Sequence, residues 1–421
     1  MASIPGGQYS FFAGGQAVNV VTTPDGTNLP SPVPGKFNLE LITSLSGPSG
    51  IPAGYKGVAL ESADGKTIDL AAGNYGVRVV GSGPHTIIAG TGNDTIYGGS
   101  GDNVIYGGSG RDLLYGGAGN DTIYGGTGPE TIRGGSGDDV IYGGSGPETI
   151  YGGLGHDLIT GGSGAEVIFA GVGGDTITAG NGPTTIYGGS GSDAFEDRWA
   201  GDHGRNRGDR FDDRFQDRWA GEHGDHGGHG GDLITGGSGS DVIYGSDRGD
   251  TITAGSGPTT IYGGSGGDLI AGGSGHDLIY GGAGNDTIYA GTGPETIRGG
   301  SGDDLIYGGS GTGVLYGGAG NDTIHGGSGA DTIDGGAGKN TIYTGSGADL
   351  IRESGAGGHD TVFGFSHAGG DAISFVGENS QTTQQVVATA QESHGNTTIT
   401  LPDGSTMTLV GVTNIDHTFF H

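Results

Sequence analysis

GGAGNDTIY, residues 116–124, is the clearest copy of a nine-residue cycle that runs from about Gly81 to Ala194 and again from Gly230 to Arg352. A glycine pair opens most cycles, one acidic residue (here Asp121) usually closes the turn, and a lone large aliphatic (here Ile123) follows two places later. Self-similarity at so short a period makes each unit one turn and one very short strand of a solenoid. If two cycles complete a coil, residues eighteen apart stack and alternate cycles share a side. The fold class predicted is all-β: a parallel β-roll solenoid with small β caps at both ends.

Glycine supplies 105 of 421 residues, cysteine none, and 47 acidic against 16 basic residues leave a formal charge of -31. Aperiodic glycine at this level reads as disorder, but a strict period moves the reading to an ordered solenoid. The core is thin. Burying one aliphatic such as Ile96, Ile105 or Leu114 contributes about 1.5–3 kcal/mol, whereas ordering the backbone costs about 1–2 kcal/mol for every residue of the cycle. A bound ligand has to supply the difference, and carboxylates stacked coil upon coil repel one another until divalent cations neutralise them. Hard oxygen donors, and glycine turns whose carbonyls aim inward unobstructed, suit calcium.

The acidic position can be followed cycle by cycle. In the first tract it reads Asp94, Asn103, Asp112, Asp121, Glu130, Asp139, Glu148, Asp157, Glu166, Asp175, Thr184 and Asp193. In the second, one side reads Asp232, Asp250, Asp268, Asp286, Asp304 and Asp322, and the other Asp241, Thr259, Asp277, Glu295, Gly313, Asp331 and Asp349. All seventeen aspartates in these series are expected to be calcium ligands. One edge of each tract is nearly complete and the other is depleted. The longer Glu130, Glu148, Glu166 and Glu295 leave ligation open, whereas Thr184, Thr259 and Gly313 supply no carboxylate.

Composition divides the chain into residues 1–80, 81–195, 196–230, 231–353 and 354–421. The first part has turn-rich TPDGTN (23–28) and SPVPGK (31–36) between strand-like FNLELITSL (37–45) and YGVRVVG (75–81), which reads as a β cap or a small binding module. Residues 196–230 are an insertion, because the separation of Asp193 and Asp232 is not a multiple of nine. There FEDRWAGDHG (195–204) is echoed by FQDRWAGEHG (215–224), and Phe211, Phe215 and Trp219 have helical spacing. This stripe is read as packing on a roll face or coil end, with a tethered contact site as the alternative. His203, His223, His226 and His229 read as a solvated loop ahead of a transition-metal site, and His156, His276 and His325 as solvent-facing. In the last part HDTVFGF (359–365), DAISFVG (371–377), TTITLP (397–402) and TMTLVGV (406–412) read as strands of a second cap, with LPDGST as a hairpin turn and TNIDHTFFH as an exposed tail.

Strand alternation points Thr122 and Tyr124 outward, and their counterparts form ladders of Thr and Tyr that could stack sugars, pack on a sister molecule or simply cover the strands. Bulky Tyr97, Tyr106 and Tyr115 roughen the faces that an ice-binding surface would keep as flat threonine rows. The sequence has no HExxH, no nucleophile elbow and no phosphate loop in a strand-to-helix context, so an enzyme is not expected. The acidic surface disfavours nucleic acid, and no apolar run is long enough to span a bilayer. MASIPGGQYSFFAGG lacks the basic and apolar regions of a cleaved signal peptide.

GGSGDD (134–139) and its many relatives resemble the repeats-in-toxin family of secreted bacterial proteins over roughly residues 81–353. The resemblance implies several bound Ca2+ ions, held between coils by turn carbonyls and by the sixth-position carboxylates, best matched at Asp121, Asp139, Asp157, Asp175, Asp268, Asp286, Asp304 and Asp322. GGHDTVFGF, GGDAISF and TMTLVGVTNID resemble the end module of that family, which implies an uncleaved signal read by type I secretion machinery. The chain is thus expected to be secreted, extracellular or cell-surface associated, folding on calcium outside the cell. Relatives that carry an enzymatic or pore-forming region attach it to a shorter roll, whereas about 80 residues precede the repeats here. A structural or adhesive role, with self-association, is therefore favoured. The alternative is an exoprotein that binds or modifies extracellular polysaccharide.

Overall fold

The computed structural model describes residues 83–189, 231–353, 357–375, 380–401 and 404–420. Ahead of these it describes the strands Gly7–Ala13, Gln16–Thr23, Phe37–Ile42, Ser49–Gly50, Gly57–Leu60, Thr67–Asp69 and Gly76–Val79. Two compact units make up the chain. One is Met1–Thr160 with Phe169–Thr176 and Gly189–Gly230, the other Gly161–Ile168, Ile177–Gly188 and Gly231–His421.

Each nonapeptide becomes a turn and a strand because the glycines let the chain reverse while Thr-Ile-Tyr prefers the extended state. In the first unit Thr122–Gly126 lies parallel to Val104–Gly108 and Val140–Gly144, with Ile105, Ile123 and Ile141 in one register column. The intervening cycles form a second ladder in which Leu113–Ala118 lies between Thr95–Ser100 and Thr131–Ser136. Every step is eighteen residues, so two cycles make a coil. Ile96, Leu114, Ile132 and Ile150 from one ladder, and Ile87, Ile105, Ile123 and Ile141 from the other, are fully excluded from solvent. This filled seam is the whole core of the coil.

The ladder begins earlier than the nonapeptide. Val18 faces Phe37, Leu39 faces Gly57, Gly57 faces Gly76 and Gly76 faces Thr95, all in parallel, each step matching the length of a repeat coil to within one position. The antiparallel hairpin of Gly7–Ala13 with Gln16–Thr23 precedes these rungs.

In the second unit the same ladders run through Thr259–Ser265, Leu278–Ala283, Glu295–Ser301 and Gly313–Ala319, and through Thr287–Tyr289, Leu305–Tyr307 and Thr323–His325. Thr185 faces Val242, far beyond the usual step of one coil. The Ala179 N–H likewise donates to the Thr235 carbonyl at 2.7 Å, where an unbroken repeat would offer residue 196. The register thus passes over the insertion and resumes in phase. The expected helical stripe and histidine loop of 196–230 lie outside the described residues.

At the C-terminal end the interval lengthens by two positions between Thr341 and Thr361 and by four between Leu350 and Ala372. Asn396–Thr400 and Thr406–Leu409 pair antiparallel, as the hairpin reading expects, and Thr406–Leu409 also runs parallel to His359–Phe363. Two features depart from the sequence reading. Ser380–Thr389 is an α-helix that buries Val386. The tail is not simply exposed: Phe419 stacks on His367 at 4.2 Å and Phe420 meets Phe375 at 5.5 Å, because two adjacent aromatic rings gain more by docking than by hydration.

One aliphatic per cycle makes each indispensable. Ile279 sits in register between Ile261 and Ile297. Replacing it with alanine is expected to cost about 2–5 kcal/mol. Circular dichroism during a calcium titration would show this as a higher midpoint with an unchanged folded endpoint.

Candidate metal sites

The described aspartates at the sixth position of the repeat lie at the seam where a turn enters a strand and are buried. Asp121, Asp139 and Asp157 form one column in the first unit, and Asp268, Asp286, Asp304 and Asp322 one in the second, all at 1–2% exposure. Their two oxygens have different tasks. Oδ1 of Asp139 accepts the backbone N–H of Asp121 at 2.7 Å, and Oδ1 of Asp157 that of Asp139 at 2.8 Å. The same bond links Asp268 to Asp286, Asp286 to Asp304 and Asp304 to Asp322 at 2.8–2.9 Å. A carboxylate thus ties each coil to the one before it.

The second oxygen is left over. Oδ2 of Asp112, Asp121, Asp139, Asp157, Asp268, Asp277, Asp286, Asp304, Asp322, Asp331 and Asp349 is buried with no hydrogen-bond partner. An orphaned anionic oxygen is costly, and its repetition at one position marks a place meant for a cation. The surroundings fit. A Cβ built on Gly134 would collide with Asp139 Oδ2 and stand 2.5 Å from the carbonyl oxygen of Gly152 in the next coil; Gly299 faces Asp304 Oδ2 and the Gly317 carbonyl in the same way. The first glycine of the pair therefore keeps open a gap lined by a carboxylate and a carbonyl. Among the described residues no three His, Asp or Glu gather around one point, so an ion here rests on few side chains plus main-chain oxygens. All of these donors are hard, as calcium prefers.

Burial also sets the electrostatics. It raises Asp121, Asp157, Asp268 and Asp304 to about 7 and Asp139 to about 8, with the accepted backbone N–H acting in the opposite direction. Asp175, Asp277, Asp322 and Asp331 rise to about 6 for the same leading reason. A bound dication reverses this by favouring the ionised form.

The expected ligands are not equivalent. Asp94 donates its N–H to Asp112 Oδ1, and Asp331 and Asp232 donate theirs to Asp349 and Asp250, so these keep the coil-to-coil bond. Asp241 and Asp250 have both oxygens engaged: Oδ2 of Asp241 accepts Gly237 N–H at 2.9 Å, and Oδ2 of Asp250 accepts Ser246 N–H at 2.5 Å. Ser246 stands where the second glycine of the pair would be. Asp193 lies outside the described residues, and the register gives the rung it would occupy to Asp232. On the depleted edge Oε1 of Glu130 turns back to Gly128 N–H at 2.8 Å, within its own turn. Thr184 donates its hydroxyl to Glu166 Oε2 at 2.9 Å, with Gly182 O at 3.2 Å, and Thr259 donates to Gly257 O at 3.2 Å, so neither position supplies a carboxylate of its own.

Sequence reading missed Asn340, Glu353, Asp360 and Asp371, all at most 3% exposed. The signal was present: Asp360-Thr-Val-Phe repeats the Asp-Thr-Ile-Tyr pattern at a longer interval.

Outward tyrosines stack into ladders. Tyr106, Tyr124 and Tyr142 lie face to face at 4.9 and 5.0 Å, and Tyr244, Tyr262 and Tyr280 at 4.9 Å. In the other ladder of the first unit Arg133 stands between Tyr115 and Tyr151, with its guanidinium 4.3 Å from the Tyr151 ring. His325 is not simply solvent-facing, since it stacks between Tyr307 and Tyr343 at 4.8 and 4.6 Å.

A family model described as RTX calcium-binding nonapeptide repeat (4 copies) matches residues 81–195 and 226–351, more than half of the chain. The chain belongs to this RTX repeat family. Family and fold together make it a calcium-binding repeat protein. Comparison with curated proteins returns no match. One solved structure similar to the RTX chain is a hyperactive, Ca2+-dependent, β-helical antifreeze protein from an Antarctic bacterium. It is 17% identical, covers 86% of this chain and 90% of its own, and superposes with a TM-score of 0.27, a likeness that carries no argument about function. Among the described residues no helix of the RTX chain is long and apolar enough to cross a membrane.

Proposed function

We propose that this RTX chain is a secreted structural or adhesive protein that remains unfolded where calcium is scarce and folds outside the cell where it is abundant. The observation that carries the reading is the column of buried aspartates with one oxygen spent on the preceding coil and the other unpartnered. Without a cation that column opposes folding, and with one it holds successive coils together, so binding free energy becomes folding free energy. The proposed ligands follow the repeat aspartates, with Asp241 and Asp250 the weakest because the protein already satisfies both of their oxygens. Residues 1–80 and 354–421 are assigned to the two ends of the roll. Export by type I machinery rests on the resemblance of the C-terminal segment.

The outer faces favour association between molecules over sugar stacking. A ring that binds a sugar offers its face, whereas the faces of Tyr124 and Tyr262 are each covered on both sides by neighbouring rings. What remains outward is a row of ring edges and hydroxyls suited to lateral packing.

Calcium titration of metal-stripped protein, followed together by far-UV circular dichroism and light scattering, tests this. A cooperative gain of β signal with rising particle mass is expected. Folding without growth in mass would return the sugar-binding alternative, and an absence of any calcium response would overturn the reading.

A further inference from the structure

We propose a further calcium site beyond the matched repeats, held by Asp360 and Glu353, that fastens the C-terminal segment to the roll. Neither residue falls within the family match, which ends at residue 351. Glu353 does not stand at the carboxylate position of any nonapeptide, since the nearest such residue is Asp349.

Three observations meet there. The stretched register brings Asp360 next to Asn340, whose side-chain amide donates to Asp360 Oδ1 at 2.8 Å. Asp360 is 2% exposed, and its Oδ2 is buried without a partner. The point where a side chain on Gly358 would begin is 2.5 Å from the Gly336 carbonyl oxygen and 3.5 Å from both Asp360 Oδ1 and Glu353 Oε1. Three oxygens from separate stretches of chain, two of them anionic, thus surround one gap that no side chain fills. Gly335 adjoins the same carboxylate on the side of its unpartnered oxygen, with its Cβ position 2.8 and 2.9 Å from Asp360 Oδ2 and Oδ1 and 2.7 Å from the Asn340 amide nitrogen.

The opposite edge ends differently. Asp371 accepts Asp349 N–H on Oδ1 at 3.0 Å and Ser366 N–H on Oδ2 at 2.7 Å, so that column closes on the protein itself. Of the two ends, the Asp360 one keeps an oxygen for an ion. The oxygens are hard and irregularly spaced, which suits the flexible coordination of calcium better than the strict octahedron of magnesium. An ion there joins strand Leu350–Glu353, strand His359–Phe363 and the Gly336 turn.

The test counts ions on the full-length chain. Metal-stripped wild type, E353Q and G358A are refolded in saturating calcium, desalted and assayed for bound calcium by elemental mass spectrometry, with circular dichroism to verify folding. Both variants are expected to hold one ion fewer than wild type, and hydrogen exchange at residues 359–363 to speed up in each. G358A leaves both carboxylates in place and fills the gap with a methyl group, so it decides the matter if E353Q does not fold, and the reverse holds. An unchanged count in a folded variant overturns the site. Loss of several ions at once also overturns it, because the site would then be inseparable from the repeat columns. The wild-type count distinguishes this inference from the folding proposal: a chain that binds no calcium fails both, and a calcium-loaded wild type indistinguishable from its variants fails only this one.

Discussion

Stripped of calcium at neutral pH the protein is expected to lose its β signal, and acidification to about pH 5 without metal to restore part of it. The sign follows from the buried aspartates. Unfolded, they titrate near 3.9; folded and metal-free, burial holds Asp121, Asp157, Asp268 and Asp304 near 7 and Asp139 near 8. Well below the unfolded value both states are protonated and pH has no leverage. Between the two values the unfolded chain releases protons that the folded chain retains, so stability falls as pH rises, and the loss is complete above the folded value. Protons and calcium thus serve the same column, and calcium added near pH 5, where the metal-free chain is partly folded and holds those protons, should release them. Circular dichroism against pH in chelator, with pH-stat titration during calcium addition, checks both parts. A metal-free β signal that grows on going from acid to neutral would contradict the account.

The second large effect separates the two edges. Asp139→Asn keeps a carbonyl to accept Asp121 N–H but removes the anionic oxygen beside Gly134. The gap beside Gly134 then keeps the Gly152 carbonyl but loses its charge. The calcium midpoint for folding is expected to rise at least about tenfold, equivalent to about 1.4 kcal/mol. Glu130→Gln should move the midpoint less than about threefold: Glu130 Oε2 is also buried without a hydrogen bond, but its Oε1 bond stays within its own turn, whereas Asp139 ties one coil to the next. Parallel titrations decide: equal shifts in the two variants would mean that both edges are loaded alike.

The nonapeptide carried the roll because its period is redundant. More than twenty cycles repeat the same turn and the same inward aliphatic, so the column of Ile105, Ile123 and Ile141 could be written down before any coordinates. Asymmetry between edges was equally legible, as Asp139 against Glu130. What was hidden depends on hydrogen bonds that sequence does not announce. Nothing in the spelling of Asp250 says that Ser246 will occupy its second oxygen. Early rungs such as Phe37–Ile42 were read as strands, but without a nonapeptide their parallel register with Gln16–Thr23 and Gly57–Leu60 had no periodic signal. Asp360 escaped for a related reason, since the coil there is longer than two nonapeptides and the phase no longer points to it.

Parallel rungs eighteen residues apart give the chain an unusual tensile behaviour. A rung of the roll is bonded to the coil before it and the coil after it, as Thr122–Gly126 is to Val104–Gly108 and Val140–Gly144. Load pulling on a chain end therefore bears on one coil at a time. Each yielding coil would release eighteen residues, about 60 Å of slack, and a calcium ion bound at its seam would set the force at which it gives way. Calcium concentration would then act as a dial on toughness, with the strand left beneath each detached coil ready to receive it again when tension falls.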